Sequence, residues 1–318
     1  MSALRDLSER SMRSALLTLS RQRRLGALAT RTALTRSMVA RFVAGESLSD
    51  ALDALERLKA GGFATTVDVL GESVATAEAA RAAADRYLDT IDALAARGLD
   101  GNVSLKLSQM GLDIDPVLCR ENVERVFARA ATTGAFVRID MEDHARTDAT
   151  LDLWRAVRSA NPSSGVVIQT ALRRSAADVE RLIGEGAPIR LCKGAYDEPA
   201  SVAFATKAEV DASYVALMER LLRAGTYVAL ATHDVAIIER AIRVAREDGI
   251  ERDRFEFQML YGIRRDLQER LVRAGYRVRI YVPYGREWYP YFMRRLAERP
   301  ANVAFLVRSV LREGRGRG

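Results

Sequence analysis

Eight short apolar, β-branched segments return along this chain, and helical stretches separate them. They are "ATTVDVLGE" from Ala64, "NVSLKLS" from Asn102, "FVRIDMED" from Phe136, "GVVIQT" from Gly165, "PIRLCKG" from Pro188, "YVALATHD" from Tyr227, "FEFQML" from Phe255 and "YRVRIYVPYG" from Tyr276. The intervening alanine- and leucine-rich stretches, such as "ALMERLLRAG" and "AIIERAIRVAREDG", often end at glycine, as helix C-termini do. Strand and helix alternating every roughly 25 to 40 residues is the signature of parallel βαβ units. Eight such units predict an α/β fold, a closed and distorted (βα)8 barrel of the TIM type. Residues 1–60 precede the first strand and read as helices, with "LSDALDALERLKAGG" the clearest, so an N-terminal helical arm is expected on the barrel. Residues 61–310 make the barrel, and the basic tail 311–318, ending in "GRGRG", has too little to bury to be ordered.

A chain of 318 residues, 48% hydrophobic and 29% charged, can bury a full core. The net charge of +7 suits an anionic ligand, an acidic membrane surface or nucleic acid, and by itself chooses none. Nucleic acid is disfavoured, because the basic residues are mixed with acids along helices and no run interleaves arginine with stacking aromatics. Two cysteines, Cys119 and Cys192, and two histidines leave no metal framework. Reduced thiols and a cytoplasmic location are expected. No apolar run resembles a signal peptide or a spanning helix, so any membrane contact is expected to be peripheral, on the inner face of the plasma membrane.

Barrel enzymes place their chemistry at the C-terminal ends of the strands. There the second segment presents Lys106, opposite in parity to Val103, Leu105 and Leu107. The third presents Asp140, opposite to Val137, Ile139 and Met141. By the same rule the fourth presents Gln169, the fifth Arg190 followed by Lys193, the sixth His233 after Thr232, and the eighth Tyr281. The aliphatic face is expected against helices and the polar face inside the barrel mouth. Any one of these could be a surface residue at a frayed strand end; six strands behaving alike argue against that.

The chain has neither a G-x-G-x-x-G after its early strands nor a G-x-x-x-x-G-K-[ST], so a phosphate-bearing cofactor would be held by strand-end groups. "CKGA" at 192–195 suits this, lysine for charge and glycine for close backbone approach. In "YVPYGREWYPYFMRRLAERP" from Tyr281, Pro290 fits a first helical turn and Arg294 and Arg295 are neighbours, with Glu298 one turn on. The pair is either a solvated arginine-glutamate face or a fork for a carboxylate.

"NVSLKLS", "RIDMED", "VIQ", "RLCKGAY", "ATHD", "FEFQMLYG", "RIYVPYG" and "RRLAERPAN", in that order, resemble the motifs of the proline dehydrogenase family, most closely its monofunctional bacterial form. The resemblance implies FAD, oxidation of L-proline to Δ1-pyrroline-5-carboxylate by hydride transfer to flavin N5, and a membrane quinone as electron acceptor. It implies substrate binding by Lys106, Tyr281, Arg294 and Arg295, support from Tyr196 and Glu298, and Asp140 and Arg190 as catalytic residues. Met141, Gln169, Arg190, Lys193, Gly194, Ala195, Thr232 and His233 match cofactor-contacting positions. A pyrroline-5-carboxylate dehydrogenase is the partner it implies. The chain departs from the family pattern at Ala171, Cys192 and Asp234, which bears on local cofactor contacts. Tyr281, beside the ring, should crowd a 4-hydroxyl group.

Two other readings compete. A Schiff-base aldolase would use Lys193 or Lys106 as nucleophile. A basic adaptor for anionic lipid or RNA would bind through "RQRR" at 21–24 and the tail, leaving the barrel mouth idle.

Overall fold

The computed structural model describes residues 39–297. The first part of the arm, the "RQRR" run, Glu298 and the tail lie outside the described residues. Eight strands form a closed barrel in chain order. They are β1 (Ala64–Val69), β2 (Asn102–Leu105), β3 (Phe136–Ile139), β4 (Ser164–Gln169), β5 (Ile189–Cys192), β6 (Val228–Ala231), β7 (Phe255–Leu260) and β8 (Val278–Tyr284). Every pairing is parallel, and β1 pairs with β8 to close the ring. Each strand falls within one of the eight segments, apart from β4, which starts one residue earlier, at Ser164.

The helices are α1 (Leu48–Ala60), α2 (Ala77–Ala96), α3 (Leu107–Met110), α4 (Pro116–Thr133), α5 (Thr147–Val157), α6 (Ser175–Gly184), α7 (Lys207–Ala224), α8 (Val235–Glu247), α9 (Arg265–Arg273) and α10 (Trp288–Ala297). Local chemistry sets their starts. Ser47 and Asp50 form a reciprocal capping box for α1, and Thr206 and Glu209 do so for α7. Asp115 caps α4 ahead of Pro116 at its first position.

The two faces of each strand meet different fates. Val67, Val103, Leu105, Val137, Ile139, Ile189, Leu191, Leu230, Phe257 and Ile280 are buried in one continuous core with the helices. The opposite parity carries Asp68, Ser104, Lys106, Arg138, Asp140, Gln169, Arg190, Glu256, Gln258 and Arg279, all buried. The barrel interior is therefore a charged and hydrogen-bonded stack. Gly165 makes room for it: a Cβ there would lie 2.3 Å from the Pro188 carbonyl and 2.9 Å from Arg138 Nη1.

The barrel is distorted at its seam. α1, which precedes β1, packs against β8 and β1, where an ordinary barrel would use the helix following β8. That helix, α10, joins a separate apolar cluster with Phe42, Val43 and Leu70, the last at the exit of β1. α10 thus lies over the C-terminal face. Among the described residues no helix is long and apolar enough to cross a membrane.

Candidate active site

At the C-terminal end of the barrel four of the expected residues touch. Asp140 follows β3 and is held there by its amide, which donates to the Leu105 carbonyl at 2.8 Å. Its carboxylate accepts from Arg190 Nη1 at 2.6 Å and from the Tyr281 hydroxyl at 2.8 Å. Lys106 Nζ lies 3.6 Å from the same carboxylate and 3.4 Å from the Tyr281 hydroxyl. The Arg190 guanidinium also stacks on the Tyr281 ring, 5.2 Å from its centroid.

The strand-parity rule also covers Asp68 on β1, which was not among the expected residues. Lys106 Nζ donates to Asp68 Oδ1 at 2.9 Å. Burial opposes the Lys106 charge, but Asp68 and Asp140 outweigh it and hold the ammonium's pKa above the usual lysine range. Burial, aided by Asp140, pushes Asp68 up against the pull of Lys106. Burial and the nearby Asp140 and Asp68 likewise raise the Tyr281 phenol, so it stays a donor.

Beneath this cluster, Arg190 is gripped from further sides. Its Nη2 donates to Ser104 Oγ at 3.0 Å and its Nε to Gln258 Oε1. The Gln258 amide is oriented in turn by Glu256 at 2.6 Å, which accepts from Arg279 Nε at 2.8 Å and from the Tyr227 hydroxyl at 2.8 Å. Arg138 completes the floor. Burial, then the repulsion of Arg190, lowers its pKa to about 9.

α10 brings Arg294 over the mouth, where Arg294 Nη1 binds Glu72 Oε1 at 2.6 Å. Burial opposes the Arg294 charge and Glu72 restores it, leaving its pKa raised. Arg295 stacks on Tyr291 of its own helix at 5.1 Å. Lys106, Glu72, Glu287, Tyr291 and Arg294 line one cavity of ≈ 20 Å³, which has room for about one water molecule. Tyr196 is half-buried nearby, and desolvation with the charges of Glu142 and Glu72 raises its phenol pKa. Glu142 serves the scaffold. It accepts from the Ser108 amide at 2.9 Å and from the Ser108 hydroxyl, capping α3 directly after Lys106.

The remaining expected residues lie at the C-terminal ends of β3, β4, β5 and β6. Gln169 Nε2 donates to the Glu142 carbonyl at 2.6 Å. Gly194 has φ +104°, and a Cβ on it would lie 3.1 Å from Gln169 Oε1 and 3.3 Å from the Ala171 Cβ, so the backbone there packs against the end of β4 with no room for a side chain. Lys193 Nζ sits between Asp211 at 2.6 Å and Asp234 at 3.0 Å. Asp234 also caps α8 through the Ala236 amide at 3.1 Å. His233 Nε2 accepts from the Leu260 amide at 3.0 Å. Thr232 is buried, Ala195 is half-buried beside Gly194, and Met141 is buried with the barrel core. The two departures Cys192 and Ala171 are both partly buried, and the Cys192 thiol is free of any disulfide.

A family profile described as proline dehydrogenase matches residues 51–308. The chain is 44% identical over 281 residues to a proline dehydrogenase of Deinococcus radiodurans, covering 87% of this chain and 91% of that protein. It is 40% identical over 279 residues to proline dehydrogenase 2 of Bacillus subtilis, covering 88% and 92%. Among solved structures, proline utilization A (PutA) from Bdellovibrio bacteriovorus, inactivated by N-propargylglycine, superposes with a TM-score of 0.76 at 27% identity. That match covers 82% of this chain and 32% of the PutA chain, so this protein spans about a third of it.

Proposed function

The chain belongs to the proline dehydrogenase family, and on that footing we propose that its barrel mouth oxidises L-proline to Δ1-pyrroline-5-carboxylate with FAD. Membership makes it an oxidoreductase of proline catabolism. The observation that carries the site assignment is the convergence of Lys106, Asp140, Arg190 and Tyr281 on one another, with Arg294 held above them.

In this reading Arg294, Arg295 and Lys106 receive proline's carboxylate. A guanidinium fork offers two parallel bonds to its two oxygens. Tyr281 walls the ring, its hydroxyl fixed by Asp140. Asp140 also keeps Arg190 in place, so its carboxylate orients a cation and a phenol at once. The residues that would hold FAD are Met141, Gln169, Arg190, Lys193, Gly194, Ala195, Thr232 and His233. Gly194 fits such a site, because its positive φ and its close approach to Gln169 and Ala171 leave no room for a side chain between the backbone and the expected cofactor-contacting Gln169. When bound, FAD supplies the hydride acceptor at N5 and is reoxidised by a quinone.

For a hydride to leave C5, proline's nitrogen must release its proton and offer its lone pair to the new C=N bond. Lys106 and Arg190 both disfavour a second positive charge beside them, which lowers the affinity of that nitrogen for a proton. The buried cations are fixed before the reaction begins and need no reorganisation. An aldolase reading gains no support from the site. Its nucleophile must be a neutral amine, whereas Asp68 and Asp140 favour the charged form of Lys106, and Lys193 is ion-paired with Asp211 and Asp234.

Peripheral contact with the membrane that carries the quinone, and transfer of product to a pyrroline-5-carboxylate dehydrogenase, belong to the same proposal. The test is an anaerobic visible absorption spectrum before and after L-proline. Flavin bands that bleach are expected. A protein that stays colourless after reconstitution with FAD, or bands indifferent to proline, would overturn the reading.

A further inference from the structure

We propose that the segment from Val39 to Glu46 is a clamp that seats α10, so that Phe42 and Glu46 act as positioning residues for the substrate-binding arginines. The inference rests on the carboxylate role proposed above for Arg294 and Arg295.

The apolar cluster beneath α10 is separate from the barrel core. Four of its seven buried members, Trp288, Tyr291, Phe292 and Met293, belong to α10 itself. Apart from Leu70, the other members are Phe42 and Val43. Phe42 meets the Phe292 ring at 6.2 Å between centroids. Glu46 Oε1 accepts from Trp288 Nε1 at 3.1 Å, at the first residue of the helix.

The segment is itself anchored to the barrel. The Ala44 amide donates to the Pro283 carbonyl at 2.9 Å, and the Gly285 amide donates to the Gly45 carbonyl at 2.9 Å, stitching it to the end of β8. At residue 41 the backbone presses on Gly262, where a Cβ would lie 1.7 Å from the Arg41 carbonyl. Ser47 then starts α1, which packs on β8 and β1. α10 is therefore tied to the barrel by its own linker, by Leu70 and the Arg294–Glu72 pair at the exit of β1, and by this segment.

The clamp matters because the cavity under Arg294 is too small for a proline ring. α10 has to move outward to admit substrate and settle again around it. Apparent affinity then scales with the fraction of molecules in which α10 can seat. A clamp weakened until only a tenth seat would raise KM about tenfold and leave kcat at saturation nearly unchanged. A simple loss of folded protein would instead lower kcat and spare KM.

The experiment compares wild type, Phe42→Ala, Phe42→Leu and Glu46→Ala in the FAD-loaded enzyme, reading kcat and KM for L-proline. It also reads the dissociation constant of cyclopentanecarboxylate by emission of Trp288, with Trp154→Phe as background; these are the chain's two tryptophans. Phe42→Ala is expected to raise both KM and that constant about tenfold, with Phe42→Leu largely restoring them and Glu46→Ala showing a smaller shift of the same kind. Unchanged KM and binding in both Phe42→Ala and Glu46→Ala would overturn the clamp. If Phe42→Ala does not fold, Glu46→Ala alone decides. Failure of wild type to bind the carboxylate or to respond to proline would instead fault the site reading.

Discussion

Replacing Lys106 by methionine removes one cation from between two buried carboxylates. Asp68 lies 2.9 Å from the ammonium and Asp140 3.6 Å from it. At an effective dielectric of about 20, two unit charges some 3 Å apart attract by about 5 to 6 kcal/mol. Desolvation offsets part of that, and removing one partner of a buried pair typically costs about 3 to 5 kcal/mol. The cost should depend on pH. Asp68 is already raised by burial and by Asp140, and loss of Lys106 raises it further.

For an acid whose folded pKa is raised, the native state binds more protons than the unfolded chain. Stability is then full below the unfolded pKa and falls as pH rises through the folded one. In Lys106→Met the stability deficit against wild type should therefore widen as pH rises above the ordinary carboxylate range, each unit of added shift contributing about 1.4 kcal/mol. The assay is urea unfolding of both proteins at saturating FAD from pH 5 to 9. A deficit that is flat across this range, or that shrinks as pH rises, would refute the assignment of Lys106 as counter-charge to the Asp68–Asp140 pair.

Two further outcomes follow from the site geometry. Because the Tyr281 ring is fixed by Asp140 on one side and Arg190 on the other, kcat/KM for L-proline should exceed that for 4-hydroxyproline, and Tyr281→Ala should narrow the ratio. Comparable values in the wild type would sink this claim. Gly194→Ala places a side chain at φ +104° against Gln169, a conformation costing about 1 to 3 kcal/mol. FAD affinity, measured by quenching of flavin fluorescence on titration, should fall about tenfold or more; an unchanged constant would remove the argument from Gly194.

The strands and their facing were legible because a parallel strand with helices outside and ligands inside must segregate residues by parity. Lys106 and Asp140 stand out against Val103, Leu105, Val137 and Ile139 for that reason. Asp68 obeys the same rule in "ATTVDV", and looking only from the second strand onward misses it. Arg138, Glu256, Gln258 and Arg279 also have interior parity, but they lie deeper than the strand ends where chemistry is sought. Glu72 and Glu142 could not be read at all from pattern. One acts from the loop after β1 on a helix 222 residues away, and the other caps α3 from the loop after the neighbouring strand β3. Lys193 reads as an open cation in "CKGA", but its pairing with Asp211 and Asp234 depends on how α7 and α8 converge.

The polar interior explains how one arginine can be aimed so firmly at a barrel mouth. A buried guanidinium left short of partners would be costly and free to rotate among them. Here Ser104, Asp140 and Gln258 each take a different nitrogen of Arg190. A Gln258 amide turned end for end would face Arg190 with a donor and leave Nε without an acceptor. Glu256 prevents this by claiming the NH2 group. Glu256, whose pKa is lowered against its burial chiefly by Arg279, stays an acceptor and fixes that choice. The orientation of a group at the mouth is thus settled by a charge two layers down. The apolar layers of an ordinary barrel would pack as well, but they could not transmit a direction.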